Sequence, residues 1–369
     1  MERTLGKNQS YCREINFELV IDLLRKAPYS ATQLADRLKL SNATMSSIIK
    51  DLTDLHMIEV ANSVSIKGSG RKQVLYTLNK NFGLILIVNI VHKTADITVT
   101  NIKEECVASA SMSISGINEE STQKVILKAN ELLFNCHKEA PLKNIVISIS
   151  GLVKDKAEGN EKHFVQAAFE NQFHNVPTYL TNDGNLITYG EMSNGVFSRE
   201  HNGAMILLDY GIGGSLVIDN NLFRGDNGYS GEMGHLLCEE NGTLQYLEDA
   251  ISLRVLLDKA EHIVDKKLKM EDLFALYKEN KEIHDIVLYS ASQLGKSLRS
   301  FIDVLDISTI VIAGRVRNFG EEYLNEVRKE TNKSINESNI VFSELGDKGQ
   351  IVGGAFIGVD YILKKSLEK

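Results

Sequence analysis

The chain has 369 residues, with 41 lysines and arginines against 49 aspartates and glutamates, for a formal net charge of −8. That length supports two or three domains with ample core; with no apolar run of about 18 residues and no apolar leader, neither a spanning helix nor a signal peptide is expected, and a cytoplasmic chain is. Cys12, Cys106, Cys136 and Cys238 form no CxxC pair, which argues against a disulfide framework or a thiolate metal site.

Charge is unevenly spread. Residues 1–80 hold 12 basic and 8 acidic side chains, net +4, while the rest hold 29 and 41, net −12. A basic head on an acidic body is expected where one end meets a polyanion.

In the head, Ile15, Leu19, Leu23 and Leu24 follow helical spacing over residues 14–27, and Pro28 stops that helix. Ser30 with Gln33 three residues on predicts a capping box opening a second helix through Leu34, Ala35 and Leu38. After Lys39-Leu40, Ser41 caps a third helix whose inner face is predicted to be Met45, Ile48, Leu52 and Leu55. Opposite them stand Asn42, Thr44, Ser46, Ser47 and Lys50, short polar groups and one cation that let a helix backbone approach base edges. Met57–Val60 and Val74–Leu78 read as strands flanking a basic, glycine-rich tip that includes Arg71 and Lys72. This is the wing of a winged helix-turn-helix, placed to meet phosphates or a minor groove. A three-helix protein-interaction module with a solvated polar face is the competing reading.

From Leu84 the pattern changes. Leu84–Val91, Ala95–Thr100 and Val107–Ile114 predict three meander strands, followed by a helix over Glu119–His137 and a buried strand at Ile145–Ile149. A second set starts with strands Met205–Leu208 and Ser215–Ile218 bracketing Gly211–Gly214. It continues with a helix at Ile286–Ile302, a strand at Thr309–Ala313 and a closing helix at Val352–Leu363. Strands then helices, twice over, predict two α/β lobes with a cleft between them.

Within this body, Asn182-Asp183-Gly184-Asn185 and Gly190-Glu191 are followed by Gly211-Ile212-Gly213-Gly214. Then come Gly225, Gly228, Gly231-Glu232-Met233-Gly234-His235 and Leu247-Glu248. In this order and spacing the chain resembles the ROK family of repressors and sugar kinases, from about residue 14 to the C-terminus, in the branch that carries a winged-helix head. The resemblance implies a two-lobed, actin-like and ribonuclease H-like sugar-kinase fold. One lobe would span about residues 83–182 plus 350–369 and the other about 183–349, behind a DNA-binding domain at 1–80. It also implies that Asn182, Asp183, Glu232, His235 and Glu248 hold a sugar. Those side chains suit a polyol, whose hydroxyls both donate and accept and so call for convergent carboxylates, an amide and an imidazole. Glu232 and His235, three apart, reach one ligand from a single turn. In kinase relatives the aspartate matching Asp183 is the general base.

The chain departs from the family at three nucleotide-binding elements. The first phosphate loop reads Asn89-Ile90-Val91-His92-Lys93, with neither aspartate nor glycine. Tyr210 precedes the second phosphate segment, and the glycine pair after Ile312 reads Ala313-Gly314-Arg315. Phosphoryl transfer rests almost wholly on positioning and charge neutralisation by such elements, so no sugar phosphorylation is expected and Asp183 becomes a ligand carboxylate. The family's structural zinc, held by one histidine and three cysteines, would find His235 but Glu239, Asn241 and Tyr246 at the cysteine positions, with Cys238 alone nearby. No zinc or other cofactor is expected, and packing with hydrogen bonds must hold that segment. Finally, a short polar stretch, Lys154–Lys162, replaces a longer apolar loop that covers the sugar in relatives.

The expected protein is a non-enzymatic, cytoplasmic repressor, a homodimer or tetramer with no membrane association. It would bind operator DNA through the winged helix and be released when a mono- or oligosaccharide occupies the cleft. An ATP-dependent sugar kinase, or a repressor answering to a transport-system protein, are the alternatives.

Overall fold

The computed structural model describes residues 9–65, 72–136, 140–151, 162–240 and 242–367. The head is α1 (Gln9–Lys26), β1 (Tyr29–Ser30), α2 (Ala31–Leu38), α3 (Asn42–Asp54), β2 (Ile58–Ser65) and β3 (Lys72–Leu78), with strands in the order β1-β3-β2. The capping box forms: the Gln33 amide donates to Ser30 Oγ at 3.2 Å and the Ser30 amide to Gln33 Oε1 at 2.9 Å. Lys39 turns the chain in the left-handed region and Ser41 caps α3, accepting from the Thr44 amide at 3.1 Å. β2 and β3 pair antiparallel from Ile58 opposite Leu78 to Ser65 opposite Lys72, which builds the stem of the wing. Residues 66–71, Arg71 among them, lie outside the described residues.

Two inner faces differ from the sequence reading. α1 buries Phe17, Val20, Ile21 and Leu24 and leaves Leu19 exposed. Its apolar residues run broadly from 15 to 24, so more than one helical stripe fits them. α3 buries Ile49 beside Met45, Ile48 and Leu52, whereas Leu55 is the C-cap residue and turns outward.

The body has β4 (Leu84–Val91), β5 (Thr94–Asn101), β6 (Cys106–Ser113), α4 (Glu119–Cys136), β7 (Leu142–Ile149), α5 (His163–Gln172) and β8 (Thr178–Thr181). Next come α6 (Asp183–Asn194), β9 (Gly203–Leu208), β10 (Ile212–Ile218), β11 (Asn221–Phe223), β12 (Leu237–Glu240), β13 (Thr243–Tyr246), α7 (Leu247–Ile251) and α8 (Leu253–Val264). The chain ends with α9 (Met270–Glu279), α10 (Lys281–Leu305), β14 (Thr309–Ala313), α11 (Glu321–Thr331), β15 (Asn339–Phe342) and α12 (Gly349–Leu367). One sheet has the order β6-β5-β4-β7-β8, the other β11-β10-β9-β14-β15. In each, a three-stranded meander is extended on its first strand by two later strands. This repeated order makes the body a duplicated ribonuclease H-like fold of the actin-like kind. Gly213 and Gly214, expected in a loop, lie inside β10 opposite Leu207 and Ile206.

The chain divides into two compact units: Met1–Ile147 with Phe164–Tyr179 and Ala355–Lys369, and Ser148–His163 with Leu180–Gly354. The head therefore shares a unit with the first sheet. Of the described residues, the second unit also takes in 148–151, 162–163 and the start of α12, Gly349–Gly354. In the first unit, α1 meets the later part of α12. The Arg25 guanidinium lies 4.7 Å above the Phe356 ring and 3.5 Å from a Glu104 carboxylate oxygen. Burial raises the Glu18 carboxyl, nearby Asp360 adds to the rise, and Lys364 opposes it. The second unit is organised on α10, whose Ile283, Val287, Ala291, Leu294, Leu298 and Ile302 recur at helical spacing and are fully buried. Among the described residues no helix is long and apolar enough to cross a membrane.

Candidate functional site

The candidate site lies wholly in the second unit and is built on the start of β10. Asn182 is the N-cap of α6, and its Oδ1 accepts from the Asn185 amide at 2.7 Å. Its amide oxygen is thus engaged by its own helix, the usual task of an asparagine before a helix. Asp183 follows in the first turn and accepts from the Gly184 amide at 3.0 Å.

The Gly231–Gly234 motif has a packing reason. A Cβ on Gly214 would lie 2.4 Å from the Met233 side chain, one on Gly231 2.5 Å from Ser215 Cα, and one on Gly234 2.5 Å from the Ile212 carbonyl oxygen. Three bare backbones press the 3₁₀ turn Met233–His235 flat onto β10. Met233 goes into the core, and the flanking Glu232 and His235 stand away from it, half-buried and exposed respectively. Glu248, in the first turn of α7, accepts from the Ile212 amide at 2.7 Å, with its carboxylate against Gly211 and Gly234.

Burial sets the charge state of the site, and its neighbouring charges adjust it. Burial raises the Asp183 carboxyl; the Gly184 and Asp183 amides and Lys162 pull it back, and Asp209 pushes further upward. Burial likewise raises Glu232, opposed by His235 and reinforced by Glu248 and Asp183. Lys162 is held low by burial, against the pull of Asp183 and Glu232, and its ammonium donates to the Ser150 carbonyl. The fold therefore brings Asp183, Glu232, Glu248 and His235 together and adds Lys162, which the sequence reading left in a polar linker. No local signal marks that lysine, because its carboxylate partners lie 21 and 70 positions along the chain. The rest of the linker, residues 154–161, falls outside the described residues.

At the end of β9, Asp209 accepts from the Arg315 amide at 3.0 Å and from Arg315 Nε at 2.9 Å, with Nη2 making a further contact. Burial would raise Asp209, but the Arg315 hydrogen bonds outweigh it and hold the carboxyl below the ordinary range. The arginine that breaks the glycine pair thus occupies a carboxylate one residue before Tyr210 and the glycines of β10.

The side chains around His235 do not suit a zinc ion. The imidazole stacks on Tyr246, centroids 4.8 Å apart and planes 20° from parallel. Cys238 is buried, and burial pushes its thiol up, away from the thiolate a metal takes. Glu239 is exposed, and Asn241 is outside the described residues. Among the described residues no group of three or more histidines, cysteines, aspartates and glutamates is placed to hold a metal.

In the head, Asn42, Thr44, Ser46, Ser47 and Lys50 are all exposed along α3. The Thr44 hydroxyl lies 2.8 Å from that of Ser41. Lys72 begins β3.

A winged helix followed by a duplicated ribonuclease H-like body with a carboxylate-rich site defines a two-part class: a winged-helix head on a sugar-kinase fold. Within that class the chain belongs to the ROK family, whose model matches residues 120–359. It is 23% identical to the xylose repressor of Bacillus subtilis (strain 168), over 96% of this chain and 98% of that one. Among solved structures it resembles a ROK family transcriptional regulator, a homologue of the E. coli MLC protein, with TM-score 0.80 and 18% identity, covering 97% of this chain and all of that one. A ROK family glucokinase from Streptomyces griseus, solved with glucose and AMPPNP, matches with TM-score 0.63 and 19% identity over 74% of this chain and 99% of the enzyme.

Proposed function

We propose that this protein is a sugar-responsive transcriptional repressor of the cytoplasm that acts as a homodimer and catalyses no reaction. The observation that carries this reading is the presence, in one chain, of a winged helix with an exposed polar recognition face and a cluster of half-buried carboxylates beside an exposed imidazole, suited to hydroxyls. Asn42, Thr44, Ser46, Ser47 and Lys50 meet base edges and phosphates, with Arg71 and Lys72 of the wing on the backbone. Asp183, Glu232, His235 and Glu248 hold the saccharide, Asn182 fixes Asp183 at the helix start, and Lys162 keeps the acid cluster from repelling itself apart. The Arg315–Asp209 pair supports the non-enzymatic reading, since a bulky ion pair stands where the resemblance puts the second glycine of a nucleotide-binding pair. Saccharide favouring one arrangement of the chain shifts the placement of paired heads and so weakens operator binding.

The test uses a duplex enriched by the protein from a random pool, and a panel of pentoses, hexoses and oligosaccharides headed by D-xylose, the sugar in the name of the Bacillus subtilis relative. At least one saccharide should weaken DNA binding by about fivefold or more. Asp183→Asn should bind the duplex normally and lose that response. Persistent release in Asp183→Asn would place the effector elsewhere, and saccharide-dependent ATP turnover by the parent protein would overturn the non-enzymatic reading.

A further inference from the structure

We infer that the hairpin Leu237–Tyr246 is a metal-independent mount for His235, and that Tyr246 is the positioning residue that fixes the imidazole plane toward the saccharide. The inference rests on the site reading proposed above.

His235 is exposed, so burial does not select its rotamer. What holds the ring is the near-parallel stack on Tyr246. Tyr246 is well placed for this because its backbone is fixed from two sides. It pairs in register with Leu237, two residues beyond His235, and it is the N-cap residue of α7, one residue before Leu247 and two before Glu248. The Leu247 amide donates to the Leu236 carbonyl at 2.7 Å and closes the same link. The hairpin thereby ties the turn carrying His235 to the helix carrying Glu248.

The hairpin itself is anchored by neutral and ionic hydrogen bonds where a metal would otherwise be needed. Gln293 and Ser297 of α10 donate to the carbonyls of Glu239 and Leu237 at 2.8 and 3.1 Å. Lys259 of α8 donates to Glu240 Oε1 at 2.7 Å, and Gln245 donates across the hairpin to the other Glu240 oxygen at 2.5 Å. β12 is thus held from α8 and α10, and β13 through its pairing with β12, without a thiolate or imidazole ligand, and the imidazole is left available to a ligand.

The experiment compares full-length Tyr246→Ala and Tyr246→Phe with the parent protein and Asp183→Asn, using as probe the saccharide of the panel that gives the largest melting shift. The first readout is the proton shifts of the His235 ring, which a stacked tyrosine moves upfield. The second is saccharide affinity, and both are measured with and without a zinc chelator. Tyr246→Ala should return the ring protons to ordinary positions and weaken the saccharide by about two- to tenfold, the range expected for losing an aromatic pair. Tyr246→Phe should keep both properties, and the chelator should change neither. Unchanged affinity in Tyr246→Ala, with Asp183→Asn abolishing binding, removes Tyr246 from the positioning role while leaving the site in place. Binding that survives Asp183→Asn instead removes the site. A melting temperature that falls on chelation, with release of zinc, overturns metal independence whatever the saccharide does.

Discussion

Asp183 opens α6 with its carboxyl accepting from the Gly184 amide, an arrangement that favours the ionised form, yet burial drives its proton affinity up. A carboxyl raised on folding binds its proton more tightly in the folded state, so stability falls as pH rises from the ordinary aspartate range through the raised value. At neutral pH the ionised group works against the second unit. Asp183→Asn should therefore melt above the parent at pH 7.5, with the gap closing as pH falls toward 4, while saccharide binding is lost. Thermal melts at the two pH values check this, and a lower melting temperature for Asp183→Asn at pH 7.5 would mean that the backbone hydrogen bonds outweigh burial. Glu191, the acid of the same motif, has a different task. Fully buried, it accepts from the Val196 amide at 2.8 Å, the Ser343 hydroxyl at 2.5 Å and the Leu345 amide at 3.3 Å, which makes it a structural bracket across the second unit. Motif spacing marked both residues but could not separate these roles, because the difference lies in partners up to 154 positions away.

Among elements, the crossing of α6 with the start of α12 depends on bare backbone. A Cβ on Gly190 would fall 2.3 Å from the Gly349 carbonyl oxygen, and one on Gly353 would fall 1.8 Å from that of Leu186. Gly353→Ala must push the two helices apart, an overpacking cost of about 1–3 kcal/mol. Because α6 carries Asp183 at its first turn, saccharide affinity should fall as well. Urea unfolding and a saccharide titration measure the two effects, and an unchanged midpoint would mean that the helices separate freely. The sequence made such elements visible where a strong period ran between clear stops. α10, β4 and β14 are legible in this way, as are both capped helices of the head. It misassigned the inner stripe of α1, where a broad apolar run fits more than one face. It also read Gly213-Gly214 as a loop, because ladder pairing with β9 is a long-range property that glycine does not announce. The candidate site was legible as a set of residue types in order. Lys162 and the stacking partner of His235 became visible only when the fold brought distant segments together.

Across the whole molecule, α12 is the element shared by both halves of the proposed function. Its first residues belong to the second unit, where Gly353 lies against α6, and the remainder belongs to the first, where Phe356 lies under Arg25 of α1. Residues of α12 thus lie against α6, which carries Asp183 of the proposed saccharide site, and against α1 of the winged helix. Arg25 is nearly fully buried between Phe356 and Glu104. Arg25→Met keeps the stem but leaves Glu104 buried without this cation, which should cost about 3 kcal/mol. Adding Glu104→Leu should restore most of that stability, since apolar groups of similar size replace buried ion pairs at little or no loss. The folded double variant is the informative one. It retains α3 and the saccharide site, so DNA and saccharide should each bind alone with parental affinity. The ratio of DNA affinities without and with saccharide, however, should shrink from the fivefold or greater value expected of the parent toward one, since coupling is the free energy carried between the two sites. A double variant that folds, binds both ligands and keeps the parental ratio would show that the message reaches the head by a route other than α12 and Arg25.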